Sequence, residues 1–434
     1  PPAGGGEGVT QALLPMARTD EAPAITLRPY QAEAVQAVYD HLRRRDDNPC
    51  VVIPTAGGKT PVMASICRDA VERWGGRVLI LAHVKELLEQ AVDKLHTMAP
   101  DLDHEIGVYS AGLGSRDTDH PIIVAGIQSV YRRAAELDAF DIVLLDECHM
   151  LPPDGEGMYR TFLAGAQETN PNVRLVGLTA TPYRMTTGMI CGPDHLLNHI
   201  CFEVGVRELI VQGYLCPLKT KAGRRKVDTS ALHVRGGEFV AGEVEALMDE
   251  DSLVRSACRE IVEHTRERHS VLIFASGVQH ALHVQRMLSA CGQECGFVCG
   301  DTLPFERAET LRRFRDGELK YLVNVNVLTT GFDAPNIDCV ALLRPTMSPG
   351  LYYQMVGRGF RLDPSKDDCL VLDFGGNILR HGPVDALQVD TPGAGAGEAP
   401  AKECPECNAV IHAAYGVCPD CGYEFPPPER EKHE

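Results

Sequence analysis

Short apolar runs, each bounded by turn-forming residues and followed by helix-spaced apolar positions, recur at 77–82, 122–126, 141–146, 174–178, 270–275, 320–325, 339–343 and 369–373. A strand that is apolar on both faces can leave neither in water, so it belongs inside a parallel sheet covered by helices. The stretch after Ala82 supplies such a cover, with Val84, Leu87, Leu88, Ala91 and Leu95 on one helical face. Strand, helix and strand repeated in this way make an α/β protein. The pattern lapses over 186–250, where Gly, Arg and Lys are frequent, and restarts with Leu253, Ala257, Ile261 and the run at Val271. This places one α/β domain at 24–205 and a second at 206–390. The composition of 391–401 is that of a flexible linker, ahead of a small module at 402–425 and a charged tail at 426–434. Residues 1–23 show no periodicity and begin with Pro rather than Met, so they are expected to be disordered or a processing edge.

The 434 residues suffice for two or three domains. No apolar run approaches the ~20 residues of a membrane span, and no secretory segment is visible. A net charge of −18 has the wrong sign for a protein that coats nucleic acid indiscriminately. Arg132-Arg133 and the basic run over 219–226 are candidates for a local groove, or are solvated faces. Twelve of the sixteen cysteines are scattered singly, which reads as reduced thiols in a cytoplasmic protein.

The run ending at Ile53 leads into Pro54-Thr55-Ala56-Gly57-Gly58-Lys59-Thr60 and then a helix. Such a loop aims backbone N–H groups at phosphates, with Lys59 reaching them and the Thr60 hydroxyl placed to ligate Mg²⁺. Thr55, Gly57 and Gly58 complete the ATP-binding set. Ile53 stands six residues before Lys59, where Gly or Ala is usual, and the middle glycine is shifted to Gly57. Asp146-Glu147 ends an apolar run, with Asp146 suited to hold Mg²⁺ and Glu147 to orient or deprotonate water. Thr179-Ala180-Thr181-Pro182 follows at another run's end.

These motifs stand in order with Leu27-Arg28-Pro29-Tyr30-Gln31, Asp146-Glu147-Cys148-His149, Thr329-Thr330-Gly331-Phe332-Asp333 and Gln354-x-x-Gly357-Arg358-x-x-Arg361. The set resembles superfamily 2 helicases of the DEAD/DEAH-like group. Over 81–87, 324–335 and 354–362 it is most similar to the bacterial RadD (YejH) type of DNA repair helicase. The resemblance implies two RecA-like domains in tandem. It implies that Arg28 and Gln31 contact adenine, that Gly331 and Asp333 lie at the cleft, and that Gln354, Arg358 and Arg361 reach the γ-phosphate. Arg361 is the preferred arginine finger, and Arg358 reads as a second such arginine or as a structural ion-pair partner. His149, Thr179 and Thr181 would couple nucleotide state to the domain interface. A strand path is implied near His83, Lys85, Gln128, Ser129, Ser276, Thr329 and Thr330, where hydroxyls, amides and backbone N–H groups suit phosphates without reading bases.

Cys404-x-x-Cys407 and Cys418-x-x-Cys421 form two knuckles whose four thiolates suit one tetrahedral Zn²⁺. A module this small would draw its folding energy from the metal and dock nucleic acid or a protein partner. The expected protein is a monomeric, ATP-dependent helicase or translocase acting on DNA in repair or remodelling. The alternatives are an RNA helicase, or an ATPase module gating a nuclease or defence-complex partner without strand separation.

Overall fold

The structure, a computed structural model, describes residues 26–83, 85–151, 156–184, 188–329, 332, 334–384, 401–413, 415–418 and 421–426. In the first lobe the strands are β1 (Pro49–Val52), β2 (Val78–Ala82), β3 (Ile106–Ser110), β4 (Ser115–Arg116), β5 (Ile122–Gly126), β6 (Ile142–Leu145) and β7 (Arg174–Thr179). A short hairpin, β8 (Tyr183–Arg184) and β9 (Gly188–Met189), precedes β10 (His199–Glu203). The sheet order is β10-β1-β7-β6-β2-β5-β3-β4, parallel except for β4. Every residue of β1, β2 and β6 is buried, as two-faced apolar runs require. Helices α1 (Pro29–Arg44), α2 (Lys59–Asp69), α3 (Lys85–Met98), α4 (Ile127–Val130) and α5 (Glu156–Thr169) accompany this sheet, and Leu88, Ala91 and Leu95 of α3 are buried.

The chain then forms α6 (Val206–Val211), which stays with the first lobe: a β-carbon at Gly57 would lie 3.3 Å from Leu209. The second sheet opens with β11 (Leu218–Ala222), followed by a hairpin of β12 (Val234–Arg235) and β13 (Glu238–Phe239). Its remaining strands are β14 (Val271–Ala275), β15 (Cys295–Val298), β16 (Tyr321–Asn324), β17 (Cys339–Leu343) and β18 (Cys369–Asp373), in the all-parallel order β11-β18-β17-β14-β16-β15. The helices are α7 (Ala241–Met248), α8 (Asp251–His264), α9 (Val278–Ala290), α10 (Pro304–Arg315), α11 (Pro349–Val356) and α12 (Asn377–His381).

Beyond the described part of this lobe, β19 (Ala401–Glu403) and β20 (Val410–His412) pair antiparallel in the cysteine module. The module has its own small core of Cys404, Ala409, Ile411 and Cys418. It is joined to the second lobe by direct contacts. Ala222 N–H donates to Asn408 O (3.0 Å), Thr220 Oγ1 donates to Val410 O (2.6 Å), and Lys226 pairs with Glu403. The physical reason is the unpaired flank of β11, which accepts the segment around Ala409 in antiparallel register. The span proposed as linker lies outside the described residues, Ala401 excepted.

Candidate nucleotide-binding site

The loop between β1 and α2 has Ala56 (φ 63°) and Gly58 (φ 88°) in the left-handed region, turning successive N–H groups toward one point. The unusual Ile53 is fully buried, and a β-carbon at Gly57 would meet its Cγ2 at 2.7 Å and Pro54 O at 2.9 Å. The larger side chain at 53 therefore fits with the glycine at 57.

Tyr30 Oη donates to Gly57 O (2.5 Å) and Gln31 Nε2 to the same carbonyl (3.0 Å), while Gln31 Oε1 accepts from Arg28 N (2.9 Å). Both ends of the buried Gln31 amide are thus committed to the loop and the start of α1, so here it braces the loop. The Arg28 guanidinium lies 5.0 Å from the Tyr214 ring centroid and donates to Tyr214 O (3.2 Å), linking α1 to the segment after α6.

Asp146 and Glu147 follow β6 at the carboxyl edge of the sheet, beside the loop. Lys59 Nζ lies 3.2 Å from Glu147 Oε1. Asp146 Oδ1 accepts from Glu147 N (2.9 Å), and Glu147 itself is left-handed (φ 48°). Burial and the neighbouring Glu147 charge push the Asp146 carboxyl up; burial would also raise Glu147, but Lys59 and His149 hold it below its ordinary value. Glu147 Oε2 is buried with no hydrogen-bond partner, its ion-pair contact being His149 Nδ1 at 3.4 Å. Crowded carboxylates with an orphaned oxygen fit a divalent cation, which Thr60 and Asp146 would hold.

A hydrogen-bonded chain runs from here into the second lobe. The Thr179 hydroxyl donates to Thr181 O (2.9 Å) and accepts from Thr181 N (3.1 Å). With its only proton used, it must accept from His149 Nδ1 at 2.8 Å. A neutral His149 therefore carries its proton on Nδ1 and accepts on Nε2 from Gln354 Nε2 at 2.9 Å. Gln354 lies on α11, whose end abuts the phosphate loop: a β-carbon at Gly357 would be 3.0 Å from Thr55 Cβ.

Arg358 donates to Gln354 O (3.3 Å) and Phe332 O (2.6 Å) within its own lobe, bracing the stretch that carries Thr329. Arg361 is half-buried just past Phe360. Thr330, Gly331 and Asp333 lie outside the described residues, as does the Lys85 side chain.

Of the expected strand contacts, Gln128 Nε2 donates to His83 O (2.6 Å) and Ser129 Oγ accepts from Ala111 N (3.1 Å). Ser276 is turned into the second lobe, where its hydroxyl donates to Leu343 O (2.9 Å). Thr329 is half-buried. Gln128 and Ser129 form part of a cleft of about 500 Å³ that also gathers Arg116, Tyr131, Arg132 and Arg133, with no carboxylate among the described residues of its lining. Arg132 stacks over Tyr131 at 5.0 Å and Arg133 Nη1 donates to Tyr109 Oη (3.3 Å). Arg116 and Tyr131 carry no motif and become visible as site residues only when β4 and α4 are brought together.

The four sulfurs of Cys404, Cys407, Cys418 and Cys421 lie within 4.8 Å of one another, with Cys404–Cys421 at 3.6 Å and Cys407–Cys418 at 3.7 Å. Tetrahedral Zn–S bonds of about 2.3 Å require sulfur separations of about 3.8 Å, so the set fits Zn²⁺. Burial works against ionisation of Cys404, but the N–H groups of Cys407 and Glu406 and the Cys421 thiol draw its pKa to about 7.

Residues 24–184 match the family described as Type III restriction enzyme, res subunit, and residues 253–363 match the helicase conserved C-terminal domain. The first lobe of the chain thus carries the res-subunit match and the second the helicase C-terminal match. Its particular relatives include a Saccharomyces cerevisiae protein that carries the name of an ATP-dependent helicase, IRC3, 29% identical over 365 residues (81% of this chain, 52% of that protein). A Schizosaccharomyces pombe protein named as its mitochondrial counterpart is 30% identical over 380 residues (82% and 58%). The chain thus spans little more than half the length of either. In fold it resembles a fragment of an HsdR-type subunit of a type I restriction enzyme from Vibrio vulnificus (TM-score 0.63, 21% identity, 84% of this chain and 67% of that one).

Proposed function

We propose that this chain is a motor that binds ATP–Mg²⁺ between its lobes, hydrolyses it and moves along or remodels nucleic acid. The observation that carries this reading is the chain Thr181–Thr179–His149–Gln354, which joins the first lobe to the α11 arm of the second and, through His149 Nδ1 at 3.4 Å from Glu147 Oε2, reaches the carboxylate pair. Lobe movement and the state of the Asp146-Glu147 corner are then mechanically one event. Bound Mg²⁺ would neutralise phosphate charge at Thr60 and Asp146. Lys59 and the loop amides hold phosphate oxygens, Glu147 orients water and takes its proton, and Arg361 supplies charge in the transition state. The arginine-lined cleft supports nucleic acid as the track, because guanidinium forks suit phosphates and the rest of the acidic surface repels them. DNA, in repair or in the remodelling of branched or single-stranded forms, follows from the RadD-like motifs. The four cysteines would hold structural Zn²⁺.

ATP turnover measured with single-stranded, duplex and forked DNA and with RNA tests this reading. Stimulation by DNA is expected; stimulation by RNA alone would make the chain an RNA helicase, and none by either would remove the motor. The res-subunit domain favours one second reading, an ATPase module serving a restriction-type partner, which predicts DNA-stimulated turnover without strand separation. One relative is named as mitochondrial, so a cytoplasmic setting is not a property of the family. No helix among the described residues is long and apolar enough to cross a membrane.

A further inference from the structure

Two elements outside both matched segments converge on the residue that launches α11. The hairpin β12–β13 lies between the matches and α12 lies after the second. They meet at Thr346, which is fully buried. Its N–H donates to Asn377 Oδ1 (2.9 Å), and its carbonyl accepts from His381 Nε2 (2.9 Å) and Arg380 Nη1 (3.3 Å). Its hydroxyl accepts from Ser348 N (2.9 Å) and donates to Glu238 Oε2, the only direction open to a hydroxyl facing a carboxylate. The other Glu238 oxygen accepts from Met347 N and Phe239 N, both at 2.8 Å. Every polar group of Thr346 is therefore committed, and three of its five contacts come from α12 side chains, of which Arg380 also grips the hairpin, lying over the Phe239 ring at 5.3 Å.

We infer that Glu238 is a positioning residue for the nucleotide-site arm of the second lobe, acting through Thr346 on the start of α11. The inference rests on the motor reading above. From Ser348, whose side chain caps α11 by accepting from Leu351 N (3.2 Å), to Gln354 is about 9 Å of helix axis. Over so short a rod a shift at Thr346 passes undiminished to Gln354, and the hydrogen bond to His149 tolerates only a few tenths of an ångström. Glu238 is suited to this role rather than to core packing. It sits on two-residue strands joined by Gly236 (φ 62°) and Gly237 (φ 82°), with Val234 of the same hairpin 53% exposed. Glu238 itself is only half-buried, and removing its carboxylate frees the launch of α11.

The test is a double-mutant cycle in the full chain, with ATP turnover at saturating single-stranded DNA and hydrogen exchange of α11 as separate readouts. Glu238→Ala should lower kcat about tenfold, the size of losing one hydrogen bond to a charged group, and leave KM for ATP nearly unchanged. Glu238→Gln, which keeps the acceptor for Met347 N, should recover part of the loss. In a Gln354→Ala background Glu238→Ala should cost nothing further, whereas a merely structural role would add its full loss. Wild-type kcat in Glu238→Ala, or additivity with Gln354→Ala, overturns the inference. If the wild-type protein hydrolyses no ATP with any nucleic acid, the motor reading fails instead. The exchange readout then still decides the contact: Glu238→Ala must speed exchange over 349–356 and spare β14 and β17, and unchanged exchange there refutes it.

Discussion

Gly357→Ala inserts one methyl group between the lobes at the phosphate loop. The backbone there (φ −58°, ψ −17°) is one that alanine adopts freely, so any effect comes from the side chain. The added carbon would lie 3.0 Å from both Cβ and Cγ2 of Thr55, where carbon pairs settle at about 3.5–4.0 Å. Thr55 or the lobes must therefore give by a few tenths of an ångström, and where the lobes give, Gln354, Arg358 and Arg361 move with them. Misplacement by about 1 Å can cost 10²-fold in rate, so a loss of about tenfold in kcat is expected. Nucleotide affinity, which depends mainly on the first-lobe loop, should change much less. The assay is DNA-stimulated ATP hydrolysis beside direct binding of a fluorescent ATP analogue. Gly350→Ala is the control: on the same helix its added carbon would meet nothing closer than 3.8 Å, and alanine favours a helix over glycine by about 1 kcal/mol. Turnover at the wild-type rate in Gly357→Ala, or an equal fall in Gly350→Ala, would refute the closed-lobe account.

Lys59→Ala should abolish ATP binding or turnover, whereas Glu147→Gln should bind ATP and fail to hydrolyse it; near-normal turnover by Glu147→Gln would remove its assigned role. Burial raises the Asp373 carboxyl to about 6, against backbone donors from Ile378 and Gly375 that work downward. A raised folded-state pKa stabilises most below the unfolded value and is lost as pH rises through about 6. Wild type should therefore gain roughly 1 kcal/mol on Asp373→Asn as pH falls from about 7.5 to about 5, and urea unfolding of the pair with a constant or reversed gap would contradict this. The freshly purified, reduced protein should contain about one zinc per chain. Cys407→Ser should lose the zinc and also weaken the second lobe by roughly 2 kcal/mol, through the bonds from Thr220 and Ala222. Elemental analysis and separate unfolding transitions check the two halves of that statement.

The central strands were legible because burial on both faces writes an unbroken apolar run, as in β2, β6 and β17. Strands with one wet or partnerless face leave no such trace: β10 is at most half-buried, and β11 alternates Leu218, Lys219, Thr220 and Lys221 at a sheet edge. The phosphate loop and the carboxylate pair could be read because their chemistry is contiguous. The link from His149 to Gln354 spans 205 residues and depends on a tautomer, which no local pattern encodes. Resemblance assigns Gln31 to adenine and Ser276 to the strand; the contacts both make within the protein, to Gly57 O and Leu343 O, are long-range and leave no local pattern. Arg116 went unnoticed because a single arginine acquires meaning only from what the antiparallel β4 brings beside it.

The seating of the cysteine module on β11 bears on how this protein behaves in solution. β18 pairs one flank of β11, and the segment around Ala409 lies along the other. A chain cut before residue 401, or one whose cysteine module had come away from β11, would bare a row of unpaired amides and carbonyls. Two such edges can zip together, with Lys219 and Lys221 the main charges opposing it. If the proposed Zn²⁺ keeps the module folded, the metal content of a preparation would set its tendency to self-associate, and aggregation on chelation would begin at this strand while the nucleotide cleft is still folded.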